Sequence, residues 1–328
     1  MCILHIFHNR RKCIKAAVVN DPLAGPVYAD FATPHAEPGQ HLVRVTASAI
    51  SHVVKSRASG KHYSFDGTLP FIAGIDGTGV TEAGQRVYFA FPPSPWGSMA
   101  EFAPVDVNLC IPLPEGLDDA TAAAMANPGM SAWAALVTRA QFQSGETVLI
   151  NGATGSAGQL AVQIARYRGA GKIIVTGRNP QALSRLNADV SILLSDDNAR
   201  IAQAFAEQAA QQIDVVIDYL WGQSALEILN ALAKHTPGLT PVRFVQVGSL
   251  SGAEIALPSA VLRASPIQLM GSGIGSLSLA QLIQATGEMF QAAIPGGFSI
   301  ATTRARLEDV AQAWSQDDSK KRTVFVMN

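Results

Sequence analysis

The residues best placed to do chemistry are Asn151-Gly152-Ala153-Thr154-Gly155-Ser156-Ala157-Gly158, a turn of small residues. Before it, Thr147-Val-Leu-Ile150 is a short apolar, β-branched-rich run that reads as a buried strand. After it, Ala157, Leu160, Ala161, Ile164 and Ala165 recur at helical spacing and share one face. Strand, glycine turn and helix form the setting in which such a turn binds a pyrophosphate. The backbone can come close at Gly155, the helix packs tightly on the sheet at Gly158, and the helix N-terminus offers free N–H groups and partial positive charge. The usual G-x-G-x-x-G is altered, with Ala153 at the first glycine position and Gly152 just before it. A glycine-rich turn without a ligand is the competing reading, and the flanking strand and helix weigh against it.

The next apolar run, Lys172-Ile-Ile-Val-Thr176, ends in Gly177-Arg178-Asn179-Pro180. An acidic residue at this place would hold a ribose 2′-hydroxyl, as NAD requires. Arg178 stands there instead, and a guanidinium suits a 2′-phosphate, so the expected cofactor is NADPH, with a solvated loop arginine as the plainer reading. The expected contacts are Ala153, Thr154, Gly155, Ser156, Ala157 and Gly158 on the pyrophosphate, and Gly177, Arg178 and Asn179 at the ribose. Ligands of open α/β sheets lie beyond the carboxyl ends of the strands. That geometry adds Val247, Gly248 and Ser249 to the cofactor contacts and singles out Asp218 and Tyr219, with Asp218 read mainly as structural.

These elements belong to a chain of 328 residues, long enough for two domains, with 48% hydrophobic and 15% charged residues. The net charge of −1 and the lack of a basic block make nucleic acid an unlikely main partner. No apolar run has the length of a membrane span. Cys2, Cys13 and Cys110 are few and scattered, which fits a reducing, cytoplasmic setting. Residues 1–13 read as an N-terminal extension; Arg10-Arg-Lys12 follows its apolar run, the reverse of a secretory signal.

The chain from Lys15 to about 128 carries many strand-like runs, among them 41–46, 85–91 and 97–103, and reads as a mostly β domain. Helices are expected at 118–126 and 130–139. Strands then alternate with helices: strands at 147–151, 172–176, 190–194, 213–218, 242–247 and 267–270, helices at 156–169, 180–187, 197–211 and 222–234. This is the pattern of an α/β, Rossmann-type doubly wound parallel sheet. Helices at 277–293 and 307–314 and a strand at 322–327 follow. The expected domains are 14–128, completed by 272–328, and a nucleotide-binding domain at 129–271.

From residue 15 onward the chain resembles the zinc-free quinone oxidoreductases of the medium-chain dehydrogenase/reductase family, the ζ-crystallin-like branch. The resemblance rests on Asn127-Pro-Gly-Met-Ser-Ala-Trp133, the 151–158 turn with Ala161-Val-Gln-Ile-Ala165, Gly177-Arg178-Asn179, Asp214–Gly222 and Leu69–Gly79. Zinc-dependent relatives would have a Cys ligand within Ser48–Val54 and a His-Glu pair at Ile75-Asp76; neither is present. His52, His62 and Asp76 match no zinc spacing, so no metal is expected.

The resemblance implies a GroES-like catalytic domain, an interdomain cleft with the nicotinamide at its base, and hydride transfer to a quinone or α,β-unsaturated carbonyl. It implies that Tyr63 donates a hydrogen bond to the developing oxyanion and that Lys55 lies near the cofactor; packing and solvation are their plainer roles. Ser131 is placed beside the nicotinamide or serves as a helix cap, Ser272 and Gly273 close on the carboxamide, and Trp96 and Trp221 are apolar walls or rim. It also implies a homodimer joined through the edge at 267–270, which carries little charge. The alternative function is an NADPH-binding regulatory or RNA-binding protein.

Overall fold

A computed structural model describes residues 12–61, 65–195, 197–317 and 321–327. The chain forms two compact units, one of residues 1–127 and 299–328 and the other of residues 128–298.

The second unit is built on six parallel strands. Along the sheet they run Val190–Leu193, Lys172–Gly177, Thr147–Asn151, Val215–Asp218, Val242–Gln246 and Ile267–Gly271. In chain order this is third, second, first, fourth, fifth, sixth, so the winding reverses between Thr147–Asn151 and Val215–Asp218. Helices cover the sheet, and the central strands read as continuous apolar runs for that reason: Val148, Leu149 and Ile150 are all fully buried. Leu149, Ile174, Val216 and Phe244 meet Phe205, Ile228, Leu229 and Leu232 in one core. Each such side chain contributes about 1.5–3 kcal/mol on burial.

The first unit is mostly β. The long strand Gln40–Ala49 pairs antiparallel with Asp76–Val80, Phe102–Asp106 and Arg322–Val326. Val43, Val45 and Ala47 point into the core while Arg44 and Thr46 between them are less buried, the alternation of a strand with one face covered. A smaller sheet joins Cys13–Val19 to Val27–Ala32 and Phe71–Ile72. Most of the expected extension at 1–13 lies outside the described residues.

Four local expectations differ from what is seen. The helices expected at 118–126 and 130–139 are one helix, Asp119–Trp133, running through Pro128 into a π-helical turn at Ala134–Arg139. The strand expected at 97–103 begins at Phe102, because Gly97 is pressed against the Ile72 carbonyl and Ser98 is fully buried in the turn before it. The helix expected at 180–187 ends at Leu183. Helix Leu279–Ala293 packs within the second unit, with Met289 against Gly129 and Glu288 accepting from the Trp133 indole at 2.9 Å, so the chain re-enters the first unit at Ser299 rather than 272.

Candidate functional site

The turn at 151–158 leaves the sheet at its point of reversal. Asn151, Thr176 and Asp218 lie at the carboxyl ends of three adjacent strands, are fully buried, and form one hydrogen-bonded network. The Thr176 hydroxyl donates to Asn151 Oδ1 at 2.6 Å, and Asn151 Nδ2 donates to Asp218 Oδ1 at 2.8 Å and to Ser224 Oγ at 2.9 Å. Thr176 Oγ1 accepts from the Gly152 N–H at 3.0 Å. Asp218 accepts from the backbone of Leu220 and Trp221, its carboxyl pushed upward by burial and drawn back by those bonds and Asn151. The network fixes the start of the turn. It also stabilises Trp221, whose φ of 56° is a costly conformation for a side-chain-bearing residue. Asp218 is therefore structural, and Asn151 and Thr176 hold the start of the turn; the sequence reading takes Asn151 only as the turn's first residue, and the signal for its network with Thr176 is polar residues closing apolar strands.

Two glycines of the turn face opposite surroundings. A Cβ on Gly158 would lie 2.5 Å from both Ala153 Cα and the Gly152 carbonyl oxygen, so only glycine allows this helix–turn contact. A Cβ on Gly155 would meet no protein atom nearer than 3.9 Å, and its φ of −76° needs no glycine. Gly155 therefore borders open space, where a side chain would obstruct a ligand approaching the backbone. Gly155 caps helix Ser156–Tyr167 without any side-chain hydrogen bond, and the first intrahelical bond there runs from the Gln159 N–H to the Gly155 carbonyl at 2.9 Å. The N–H groups of Ser156, Ala157 and Gly158 precede it and point out of the helix end. These residues fit a pyrophosphate.

The neighbouring strand delivers the other half of the cradle. Gly177 is buried against Thr154, where a Cβ would come within 2.7 Å of Cγ2, so the two turns touch. Arg178 follows, exposed. Asn179 caps the next helix, its Oδ1 accepting from the Ala182 N–H at 3.0 Å, which fixes the backbone on Arg178's far side. Gly248 presses on the Tyr219 carbonyl, and Val247 and Gly248 both donate to the Asp218 carbonyl. Ser249 lines a cleft of about 450 Å³ with Trp221, Gln246 and Gly271 at the carboxyl end of the sheet. Ser272 donates its N–H to the Gln246 carbonyl at 2.9 Å, and Gly273 is held by the Ser276 hydroxyl. Ser131 lies inside the long helix, not at its start, so it caps nothing there.

The catalytic expectations fare differently. Tyr63 and His62 lie outside the described residues. Lys55 sits in helix His52–Ala58, and its ammonium is 2.5 Å from the Asp317 carboxylate and 3.0 Å from the Asp317 carbonyl, so it is engaged by an ion pair. Around the positions where zinc-dependent relatives carry ligands, Ser48 Oγ lies 2.7 Å from Ser98 Oγ and donates to the Asp76 carbonyl, and Asp76 accepts from Tyr88 at 3.1 Å. Among the described residues no group of three or more His, Cys, Asp or Glu could hold a metal ion, and no helix is long and apolar enough to cross a membrane. Trp96 packs edge-on against Phe31 in the first unit, and Trp221 against Phe244 in the second.

No family model matches the chain. Among curated proteins it is 29% identical to the "probable NADPH-dependent quinone reductase" of Emericella nidulans, over 92% of this chain and 96% of that protein. It is 26% identical to the 2-methylene-furan-3-one reductase of Solanum lycopersicum, over 78% of this chain and 70% of that one. It is 36% identical to phthioceranic/hydroxyphthioceranic acid synthase of Mycobacterium tuberculosis over 64% of this chain, a match that spans only 10% of the synthase. Among solved structures, the quinone oxidoreductase of Thermus thermophilus, known also in complex with NADPH, matches with a TM-score of 0.76 at 24% identity, covering 95% of this chain and 99% of that one. The chain is thus similar in sequence to proteins named quinone reductases and has the fold of the quinone oxidoreductases.

Proposed function

We propose that the protein is an NADPH-dependent reductase that delivers hydride to quinones or α,β-unsaturated carbonyl compounds and works without zinc. The observation that carries the reading is the paired glycine geometry, Gly158 closed by protein and Gly155 open, one strand away from an exposed Arg178. The names of its relatives, quinone reductase and methylene-furanone reductase, support the acceptor class.

In this reading the N–H groups of Ser156, Ala157 and Gly158 bind the pyrophosphate, aided by Ala153 and Thr154 in the turn. Arg178 pairs with the 2′-phosphate, with Gly177 and Asn179 shaping its approach. Ser131, Val247, Gly248, Ser249, Ser272 and Gly273 lie along the nicotinamide half. Bound NADPH supplies the hydride. The acceptor's conjugation spreads the incoming charge onto oxygen, where hydrogen-bond donors suffice to stabilise it. Tyr63 is the proposed donor to that oxygen, with Lys55 a second donor only after it parts from Asp317. The reading includes a homodimer joined through strand Ile267–Gly271, which lies at the sheet edge with Gln268 and Leu269 exposed, and a reducing, cytoplasmic setting, in keeping with the free thiols of Cys13 and Cys110. The net charge of −1 does not favour the RNA-binding alternative.

The test is affinity for NADPH and NADH in the native chain and in Arg178→Ala. A preference for NADPH that falls about 10- to 100-fold in the variant is expected, the worth of a charge-assisted hydrogen-bond pair. An unchanged preference would remove Arg178 from the site, and no binding of either nucleotide would remove the reductase reading. NADPH oxidation with a panel of quinones and enones then identifies the acceptor.

A further inference from the structure

Tyr219 carries an unexplained polar atom. Its side chain is buried, with 6% of its surface exposed, and its hydroxyl has no hydrogen-bond partner among the described residues. Leaving a buried hydroxyl unpaired costs about 1–3 kcal/mol, and buried polar groups without partners are rare enough to call for a reason. Phenylalanine would fill the same place without that cost.

The position of Tyr219 supplies a reason. It follows strand Val215–Asp218 directly, at the point where the sheet reverses. Its N–H donates to the Asn151 carbonyl at 3.1 Å, which ties it to the start of the 151–158 turn. On its other side its carbonyl is pressed by Gly248, where a Cβ would come within 2.7 Å. Tyr219 is thus held between the two backbone segments assigned above to the dinucleotide. The Ser131 hydroxyl is close enough to draw the phenol's pKa partly back from the rise that burial imposes. Ser131, within helix Asp119–Trp133, is thus the side chain whose hydroxyl acts on the Tyr219 phenol.

We infer that Tyr219 is a positioning residue for the nicotinamide-nucleoside half of the bound dinucleotide, its hydroxyl and that of Ser131 completing their hydrogen bonds on that half when it enters. This rests on the NADPH-binding reading. The unpaired hydroxyl is then a cost carried by the free protein and relieved on binding, so its contribution appears as cofactor affinity and not as stability of the free fold.

The experiment uses the full chain, Tyr219→Phe and Ser131→Ala, with two probes. NADPH carries both nucleoside halves; 2′,5′-ADP carries only the adenosine half with its 2′-phosphate. Thermal melting of each protein is followed alone and with each probe, and the dissociation constants are measured by titration. The expected result is that Tyr219→Phe melts no lower than wild type when free, binds 2′,5′-ADP as wild type does, and binds NADPH about 3- to 10-fold more weakly, the worth of one hydrogen bond. Ser131→Ala is expected to weaken NADPH over 2′,5′-ADP in the same sense. NADPH affinity unchanged in Tyr219→Phe would overturn the inference. So would a lowered melting temperature of the free variant, which would make the hydroxyl structural, or an equal loss for both probes. Failure of wild type to bind 2′,5′-ADP or NADPH would instead overturn the NADPH reading beneath it.

Discussion

At Asp76 burial and charge oppose each other. The side chain is 6% exposed, and burial pushes its carboxyl up to about 6, while the Tyr88 hydroxyl and the Arg322 charge hold it back from rising further. A raised carboxyl pKa means that the folded protein binds the proton more tightly than the unfolded chain. The stabilisation is therefore fully present below the ordinary value of 3.8 and is lost as pH rises through about 6. The shift corresponds to about 3 kcal/mol between those limits. Asp76→Asn removes the titration, so wild type should lose stability relative to the variant between pH 4 and pH 7, read from urea midpoints at each pH. A constant difference across that range would show that Asp76 has the same pKa in both states. Arg178 and Tyr219 give predictions of the same scale, each separating affinity from stability by a single group.

One scale up, the glycine turn and its helix act as a unit whose two glycines do different work. Gly155→Ala adds a methyl group to open space at an unstrained φ, so the protein should melt as wild type does while losing NADPH affinity by at least 10-fold, through obstruction of the phosphate. Gly158→Ala forces a methyl into Ala153 and the Gly152 carbonyl, so it should lower stability by about 1–3 kcal/mol and weaken NADPH as well. Melting curves and nucleotide titrations of the pair check this. Equal effects of the two substitutions would mean that the turn packs only against protein. The helix Asp119–Trp133 teaches a second lesson at this scale. Pro128 signals a break, and only packing of the helical surface at Gly129 and Trp133 shows why the helix continues through it.

For the whole molecule, the open edge at Ile267–Gly271 makes the proposed dimer testable. Ser272 donates inward to Gln246, and alternation along a strand puts the N–H groups of Gln268 and Met270 on that same side. The Leu269 N–H then faces outward, where proline removes a donor to a partner strand and spares the ladder within the chain. Wild type should elute at twice the chain mass in light-scattering chromatography and Leu269→Pro at the monomer mass. A monomeric wild type would refute the edge-joined dimer.

The alternation of apolar runs with helical periodicities by itself determined the doubly wound sheet, because each buried strand and each amphipathic helix records its own environment in a local pattern. It also singled out the 151–158 turn and Arg178 as candidates for the proposed cofactor, since glycine spacing and charge identity are local facts. The tertiary structure alone decided which residues meet. The closure of Asn151, Thr176 and Asp218 into one network joins positions 25 and 67 residues apart. The engagement of Lys55 by Asp317 spans 262 residues, and the unpaired hydroxyl of Tyr219 is visible only once everything around it is in place. Hydrogen bonding and burial depend on distances in space, and a sequence carries these only through the fold it specifies.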